Sequence, residues 1–133
     1  MSVKTIVQLA VFDTPASRVY HALMDSKQHS EFTGEKAVID ARVGGAFKEY
    51  GAYIVGSFLE ITPGKKIVQK WRATDWPTGV SSTVTIELQE KRGITTLHLT
   101  QEGVPEAFAE EISQGWHDFY WDRLREYLEK HRE

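Results

Sequence analysis

Hydrophobic positions along this chain change period three times. From Val3 to Asp13 they alternate, with Val7, Leu9 and Val11 on one face and Gln8 and Ala10 on the other, which predicts a strand. Asp13-Thr14-Pro15 then reads as a helix start. Thr14 can cap, and Pro15 suits the first helical position, where its missing N–H costs nothing. Ala16, Val19, Tyr20 and Leu23 recur at helical spacing and predict an amphipathic helix to about Asp25. A short helical turn through Gln28 to Phe32 follows, ended by Thr33-Gly34.

Alternation then returns. Lys36 to Arg42 reads as a strand, Gly44-Gly45 as a turn, and Ala46 to Tyr50 as the next strand, broken by Gly51. Tyr53 to Thr62 is another, closed by Pro63-Gly64, and Lys66 to Thr74 runs to the loop Trp76-Pro77-Thr78-Gly79. Ser81 to Gln89 puts Val84, Ile86 and Leu88 inward. After the Lys91-Arg92-Gly93 turn, Ile94 to Gln101 puts Leu97 and Leu99 inward and His98 outward. Pro105 opens the last change of period, a helix from about Glu106 to His131. Ile112, Trp116, Tyr120, Leu124 and Tyr127 lie along one face, and Phe119, Trp121 and Leu128 widen it. Lys130, His131 and Arg132 fall in its last turn, where cations favour the helix dipole. Strands grouped together with helices at the ends predict an α+β domain over 1–133. Its seven-stranded antiparallel sheet is curved around the C-terminal helix, the one element long enough to cover it.

Composition narrows the function classes. With 133 residues, 41% hydrophobic and 26% charged, the chain fits one folded domain. It has no cysteine, which removes disulfides, thiolate metal sites and thiol catalysis and is compatible with a cytoplasmic location. A net charge of −3 argues against nucleic acid, and no apolar run approaches the ~18 residues of a membrane span. The five histidines show no metal-ligand spacing, no GxSxG elbow is present, and no cofactor motif appears.

Several motifs then fall in order: Gly44-Gly45-x-Phe47, Gly56-x-Phe58-x-x-Ile61-x-Pro63, Lys66-Ile67-Val68-x-Lys70-Trp71-Arg72, Trp76-Pro77-x-Gly79, Gly103-x-Pro105 and Gly115-Trp116-x-x-Phe119-Tyr120-Trp121. Together they resemble the C-terminal domain of the activators of the heat-shock protein 90 ATPase, within the START-like (SRPBCC) superfamily. The resemblance covers nearly the whole chain. It implies a helix-grip fold of order β-α-α-β6-α with a cavity or groove between sheet and long helix, and it carries over no catalytic residue. The activators resembled are two-domain proteins. Here Met1 and Ser2 lead directly into the first strand, so the chaperone role is expected to transfer only in part.

The residues expected to line the cavity are Phe47, Phe58, Trp71, Trp116, Phe119, Tyr120 and Arg123. The aromatics either fill core or form the wall of an apolar small-molecule site. Gly115 is expected to let the helix approach the sheet closely. Arg123 falls about 20° from the Trp116 direction, on the apolar face, so it needs a carboxylate or carbonyl partner, a route to the helix edge, or an anionic ligand. Trp76, in its loop, either tucks over the sheet end or anchors a partner. The leading reading is a non-enzymatic, cytoplasmic domain binding a hydrophobic small molecule. The alternative is a chaperone regulator contacting a heat-shock protein 90 homologue. A cyclase or hydrolase of the superfamily is a third reading, for which the sequence offers no internal acid or base.

Overall fold

The computed structural model describes residues 2–131, so Met1, Arg132 and Glu133 lie outside the described part. Strand β1 (Val3–Phe12) leads into α1 (Ala16–Met24) and α2 (Ser26–Thr33). The strands β2 (Val38–Ile39), β3 (Ala46–Glu49), β4 (Ile54–Thr62), β5 (Lys66–Ala73), β6 (Ser82–Lys91) and β7 (Ile94–Pro105) follow. The last helix, α3, is built of three consecutive segments: Glu106–Gly115, Trp116–Trp121 and Asp122–Lys130. The strands form one curved antiparallel sheet in the order β1-β7-β6-β5-β4-β3-β2. Each strand from β2 to β7 pairs with its sequence neighbour, and β1 closes the other edge against β7. This is the α+β helix-grip fold expected from the grouping of strands, with α3 packed on the inner face.

The inward phase of β6 and β7 is as the alternation indicates: Val84, Ile86, Leu88, Leu97 and Leu99 are buried and His98 is exposed. Strand β1 is the reverse of a hydrophobic-inside reading. Val7, Leu9 and Val11 are 71%, 61% and 53% exposed, while Ile6, Gln8, Ala10 and Phe12 face the core. Gln8 turns inward because it has work there. Its Oε1 accepts from Trp121 Nε1 at 2.8 Å, and its Nε2 donates to Ser113 O at 2.8 Å. A buried indole N–H without a partner costs ~1–3 kcal/mol, enough to set the register of an edge strand whose two faces differ little in hydrophobicity.

Three further boundaries differ from the sequence reading. The strand expected over Lys36 to Arg42 shrinks to Val38–Ile39, because α2 claims the backbone beside it. Ser30 Oγ accepts from Ala37 N at 2.9 Å and Ser26 Oγ from Ile39 N at 2.8 Å. Thr14 is not the cap of α1. Pro15 holds that position, and the N–H of Ala16 goes to Glu90 Oε1 on β6 at 2.8 Å, tying the helix start to the sheet. The strand expected to reach Tyr50 stops at Glu49, where Tyr50, Gly51 and Ala52 take positive φ of 53°, 65° and 82°. Such φ costs a non-glycine residue ~1–2 kcal/mol, so Tyr50 and Ala52 must be held by contacts elsewhere.

The long helix departs from the uniform 100° step assumed over 106–131. Trp116–Trp121 is a π-helical turn. In an α-helix, residues five apart point about 140° from one another. The i→i+5 bonding of a π turn brings them onto one side. Trp116 and Trp121 are thus both buried, with rings stacked at 5.2 Å and 14°. Each indole N–H then meets a glutamine of the sheet, Trp116 on Gln101 Oε1 at 2.8 Å and Trp121 on Gln8.

Candidate functional site

A cavity of ≈ 450 Å³ lies between α3 and the β4–β5 side of the sheet. Strand β4 contributes Ile54 and β5 contributes Trp71; the turn after β3 contributes Tyr50 and Tyr53; α3 contributes Glu111, Ile112, Gly115, Trp116, Phe119, Tyr120 and Arg123; and Glu35 completes the wall. Five of the seven residues expected to line it do so: Trp71, Trp116, Phe119, Tyr120 and Arg123. Phe47 and Phe58 do not. They are fully buried against each other, 5.2 Å between ring centroids, outside the cavity lining.

The π turn shapes this wall. Trp116 and Tyr120 pack at 4.8 Å between centroids, Trp71 lies 5.8 Å from Trp116, and Phe119 is left 47% exposed over Arg123. Gly115 does not serve close approach to the sheet. A Cβ there would meet only Phe119 Cδ2 at 3.7 Å, and the glycine instead keeps the cavity wall low. Arg123 finds a carbonyl partner: its Nη1 donates to Thr33 O at 2.6 Å, and its guanidinium stacks 5.1 Å above the Phe119 ring. Trp76 is 3% exposed, packed on Trp71 at 5.6 Å and on Phe108 at 6.3 Å. It tucks into the fold and is not a free-standing anchor. The indole N–H groups of Trp71 and Trp76 have no hydrogen-bond partner among the described residues.

Behind Tyr120 sits a polar cluster that the periodicity does not reveal. Tyr120 donates its hydroxyl to Glu49 Oε1 at 2.8 Å, and His29 Nε2 lies 3.3 Å from that hydroxyl and 3.7 Å from Glu49 Oε2. His29 Nδ1 faces the carbonyl of Leu23 at 3.0 Å, which fixes a proton on that nitrogen. His29 and Glu49 are both buried, and neither lines the cavity. Tyr50, which sequence alone placed at a strand end, donates to the carbonyl of Phe119 and joins the strained turn to α3. Tyr53 donates to Asp75 Oδ1 at 3.0 Å.

Burial raises all five tyrosine hydroxyls above their ordinary pKa of 10.0. Tyr53 and Tyr127 are pushed up to about 12, by burial first and then by their bonds to Asp75 and Glu31. Tyr120 lies well above 10.0, through burial and then the Glu49 charge. The neutral phenols are therefore favoured in the fold. Their contribution is complete below the unfolded value near 10.0 and is lost as pH rises from there toward about 12. Ultraviolet titration of tyrosinate should show almost no ionisation at pH 10 in the native protein, then a steep rise coincident with loss of circular dichroism. A gradual titration centred near 10 with the fold intact is the contrary result.

The fold recurs in known proteins. A model of the Activator of Hsp90 ATPase homolog 1-like protein family matches residues 13–129. The human "Activator of 90 kDa heat shock protein ATPase homolog 1" is 30% identical over 115 residues, 86% of this chain and 34% of that protein. An uncharacterized protein of Schizosaccharomyces pombe is 33% identical over 109 residues, 82% of this chain and 32% of that one. The chain thus spans about a third of the length of these curated relatives. Among solved structures, an HSP90 activator from Plasmodium falciparum superposes with a TM-score of 0.90 at 28% identity, covering 94% of this chain and 96% of that one. CalU16 from Micromonospora echinospora, at 24% identity and a TM-score of 0.81 over 95% of this chain and 76% of that one, shares the fold. By motif order, strand topology and this match, the chain belongs to the Activator of Hsp90 ATPase homolog 1-like protein family.

Proposed function

We propose that the chain is a non-enzymatic binding domain that holds a hydrophobic small molecule between α3 and the sheet. The observation that carries this reading is the cavity. Its ≈ 450 Å³ falls in the ~300–1,000 Å³ range of small-molecule sites, and its wall is chiefly aromatic. The cavity presents no acid–base pair to a substrate: Glu49 and His29 sit outside its lining, and the carboxylates that line it, Glu35 and Glu111, are exposed. An apolar aromatic probe should bind with roughly micromolar affinity, shifting the NMR signals of Trp71, Trp116 and Tyr120 and leaving those of Phe47 and Phe58 in place. Native mass spectrometry of the purified protein should show a retained small molecule. No shift at the cavity residues across an aromatic and aliphatic screen sinks the reading.

A second reading is regulation of a heat-shock protein 90 ATPase by protein contact. It is favoured by the printed names of the human relative and of the Plasmodium structure. A module acting without a tethered second module loses the effective concentration that a linked pair enjoys. This domain alone should therefore stimulate such an ATPase less than about twofold, equivalent to ~0.4 kcal/mol of barrier. Because Trp76 is buried, Trp76→Ala would disturb the core and is a poor control for a surface contact. Severalfold stimulation by the wild-type domain in a steady-state ATPase assay makes the chaperone role primary.

A further inference from the structure

The turn after β3 carries backbone that the sheet does not call for. Tyr50, Gly51 and Ala52 all take positive φ, 53°, 65° and 82°, and only one of the three is glycine. Left-handed backbone is costly for tyrosine and alanine. It persists where surrounding contacts hold it, and ligand clamps are among the places where it collects. The contacts that hold this turn cross the cavity. The floor of that space is buried and includes Trp71, Trp116 and Tyr120, while its rim is exposed, with Glu111 and Phe119 of α3. The Tyr50 ring stands between the two levels, edge-on to Tyr120 at 5.7 Å and to Phe119 at 6.0 Å. Its hydroxyl donates to the carbonyl of Phe119, so one side chain ties the turn to α3 across the space both of them line. Burial holds that hydroxyl above its ordinary pKa of 10.0, which keeps it a donor at neutral pH. At the base of the turn, Gly51 N–H donates to Lys36 O at 3.0 Å and Tyr53 N–H to Tyr50 O at 3.1 Å. The other lining tyrosines bond elsewhere, Tyr53 to Asp75 in the loop after β5 and Tyr120 to Glu49 at the end of β3.

We infer that Tyr50 is a strap across the cavity mouth: a ligand passes when the hydroxyl lets go of Phe119 and the left-handed turn relaxes away from α3. The inference rests on the cavity being a ligand site. Backbone strain at Tyr50 and Ala52 favours the relaxed turn, and the hydroxyl bond with its two ring contacts favours the tied one. The balance between them sets how often the mouth is open. Because the hydroxyl is committed to a backbone carbonyl of the protein, its loss should change how fast a ligand passes and not how tightly it is held.

The test is stopped-flow binding of N-phenyl-1-naphthylamine, a neutral aromatic probe that brightens in apolar surroundings, to the full chain and to its Tyr50→Phe variant. The variant keeps the ring and removes the tie. Association and dissociation rate constants should both rise roughly threefold or more, as loss of one net hydrogen bond allows, while the affinity stays within about twofold. Tyr127→Phe is the comparison. Its hydroxyl also runs from α3, to Glu31 Oε1 at 2.8 Å, but outside the cavity lining, and its loss should leave both rates as in the wild type. Faster dissociation alone, with affinity lost, would mean that the hydroxyl only steadies the bound state, and it overturns the strap. Unchanged rates in Tyr50→Phe overturn it too, and the cavity reading then stands without it. If the probe binds neither protein, the ligand-binding reading and the strap fall together.

Discussion

Trp116→Ala should destabilise the fold by ~3–5 kcal/mol in chemical denaturation, a large share of the ~5–15 kcal/mol that holds a domain of this kind together. The indole is buried at the centre of α3 and touches three other aromatic rings: Trp121 stacked at 5.2 Å, Tyr120 at 4.8 Å and Trp71 at 5.8 Å. Truncation removes all three contacts and leaves Gln101 Oε1 without its donor. Gln101 is itself part of a chain: its Nε2 donates to Ser82 Oγ at 3.0 Å, and Ser82 donates to Trp71 O at 3.0 Å. The loss therefore reaches the backbone of β5. Trp116→Phe separates the two causes. It restores much of the ring volume while still orphaning Gln101, so its cost should be ~1–3 kcal/mol, the penalty of an unmade buried hydrogen bond. A loss below about 1 kcal/mol for Trp116→Ala would mean that α3 does not dock through this residue.

The gross architecture was legible because the hydrophobic period carries it. The inward residues Val84, Ile86 and Leu88 of β6 and Leu97 and Leu99 of β7 alternate, and the 2-to-3.6 switch at Pro105 marks where the sheet ends and its partner helix begins. Where the reading slipped, a side chain had replaced the backbone partner that periodicity presupposes. Ser26 and Ser30 bind the N–H groups of Ile39 and Ala37, tying β2 to α2. Glu90 caps α1 from a strand 74 residues away in sequence. In β1, hydrophobicity alone cannot say that the valine face is outside, because the deciding energy is a hydrogen bond from Trp121 that only the assembled fold supplies. The inward phase of Gln8 with Ala10 and Phe12 is the one sequence clue to it.

The candidate site was legible in its helix half and less so in its sheet half. Trp116, Phe119, Tyr120 and Arg123 share a helix stretch, and a helix face can be counted, although the count assumed a uniform pitch that the π turn breaks. Trp116 and Trp121 on one side could not come from a 100° step. Tyr50 and Tyr53 reach the cavity through a run of left-handed backbone, which includes a tyrosine and an alanine where glycine would be usual. No propensity rule anticipates that. Aromatic character alone puts Phe47 and Phe58 in the wall, whereas in the fold their rings pack on each other outside the cavity lining.

Gly56→Ala should cost ~4 kcal/mol or more and leave little soluble folded protein. Gly56 sits in β4 with Phe47 of β3 on one side and Trp71 of β5 on the other. A Cβ built on it would lie 1.9 Å from the carbonyl oxygen of Lys70 and 2.5 Å from Phe47 Cζ. The first contact is backbone, fixed by the β4–β5 ladder, so it cannot swing away as a flexible side-chain tip can. Phe47 cannot retreat either, since Phe58 packs behind it at 5.2 Å and both are fully buried. Relief requires β4 to part from β5, which would break the ladder at the strand that carries Trp71 to the cavity. Overpacking by a methyl group against mobile side chains costs ~1–3 kcal/mol; against a backbone oxygen the cost should exceed that range. Gly51→Ala is the comparison. That glycine has φ of 65° and open space where a Cβ would go, so only left-handed strain applies, ~1–2 kcal/mol. Thermal and denaturant unfolding of the two variants should therefore differ by several kcal/mol in this order. Equal and small losses at both positions would mean that β3, β4 and β5 do not meet at Gly56 as described.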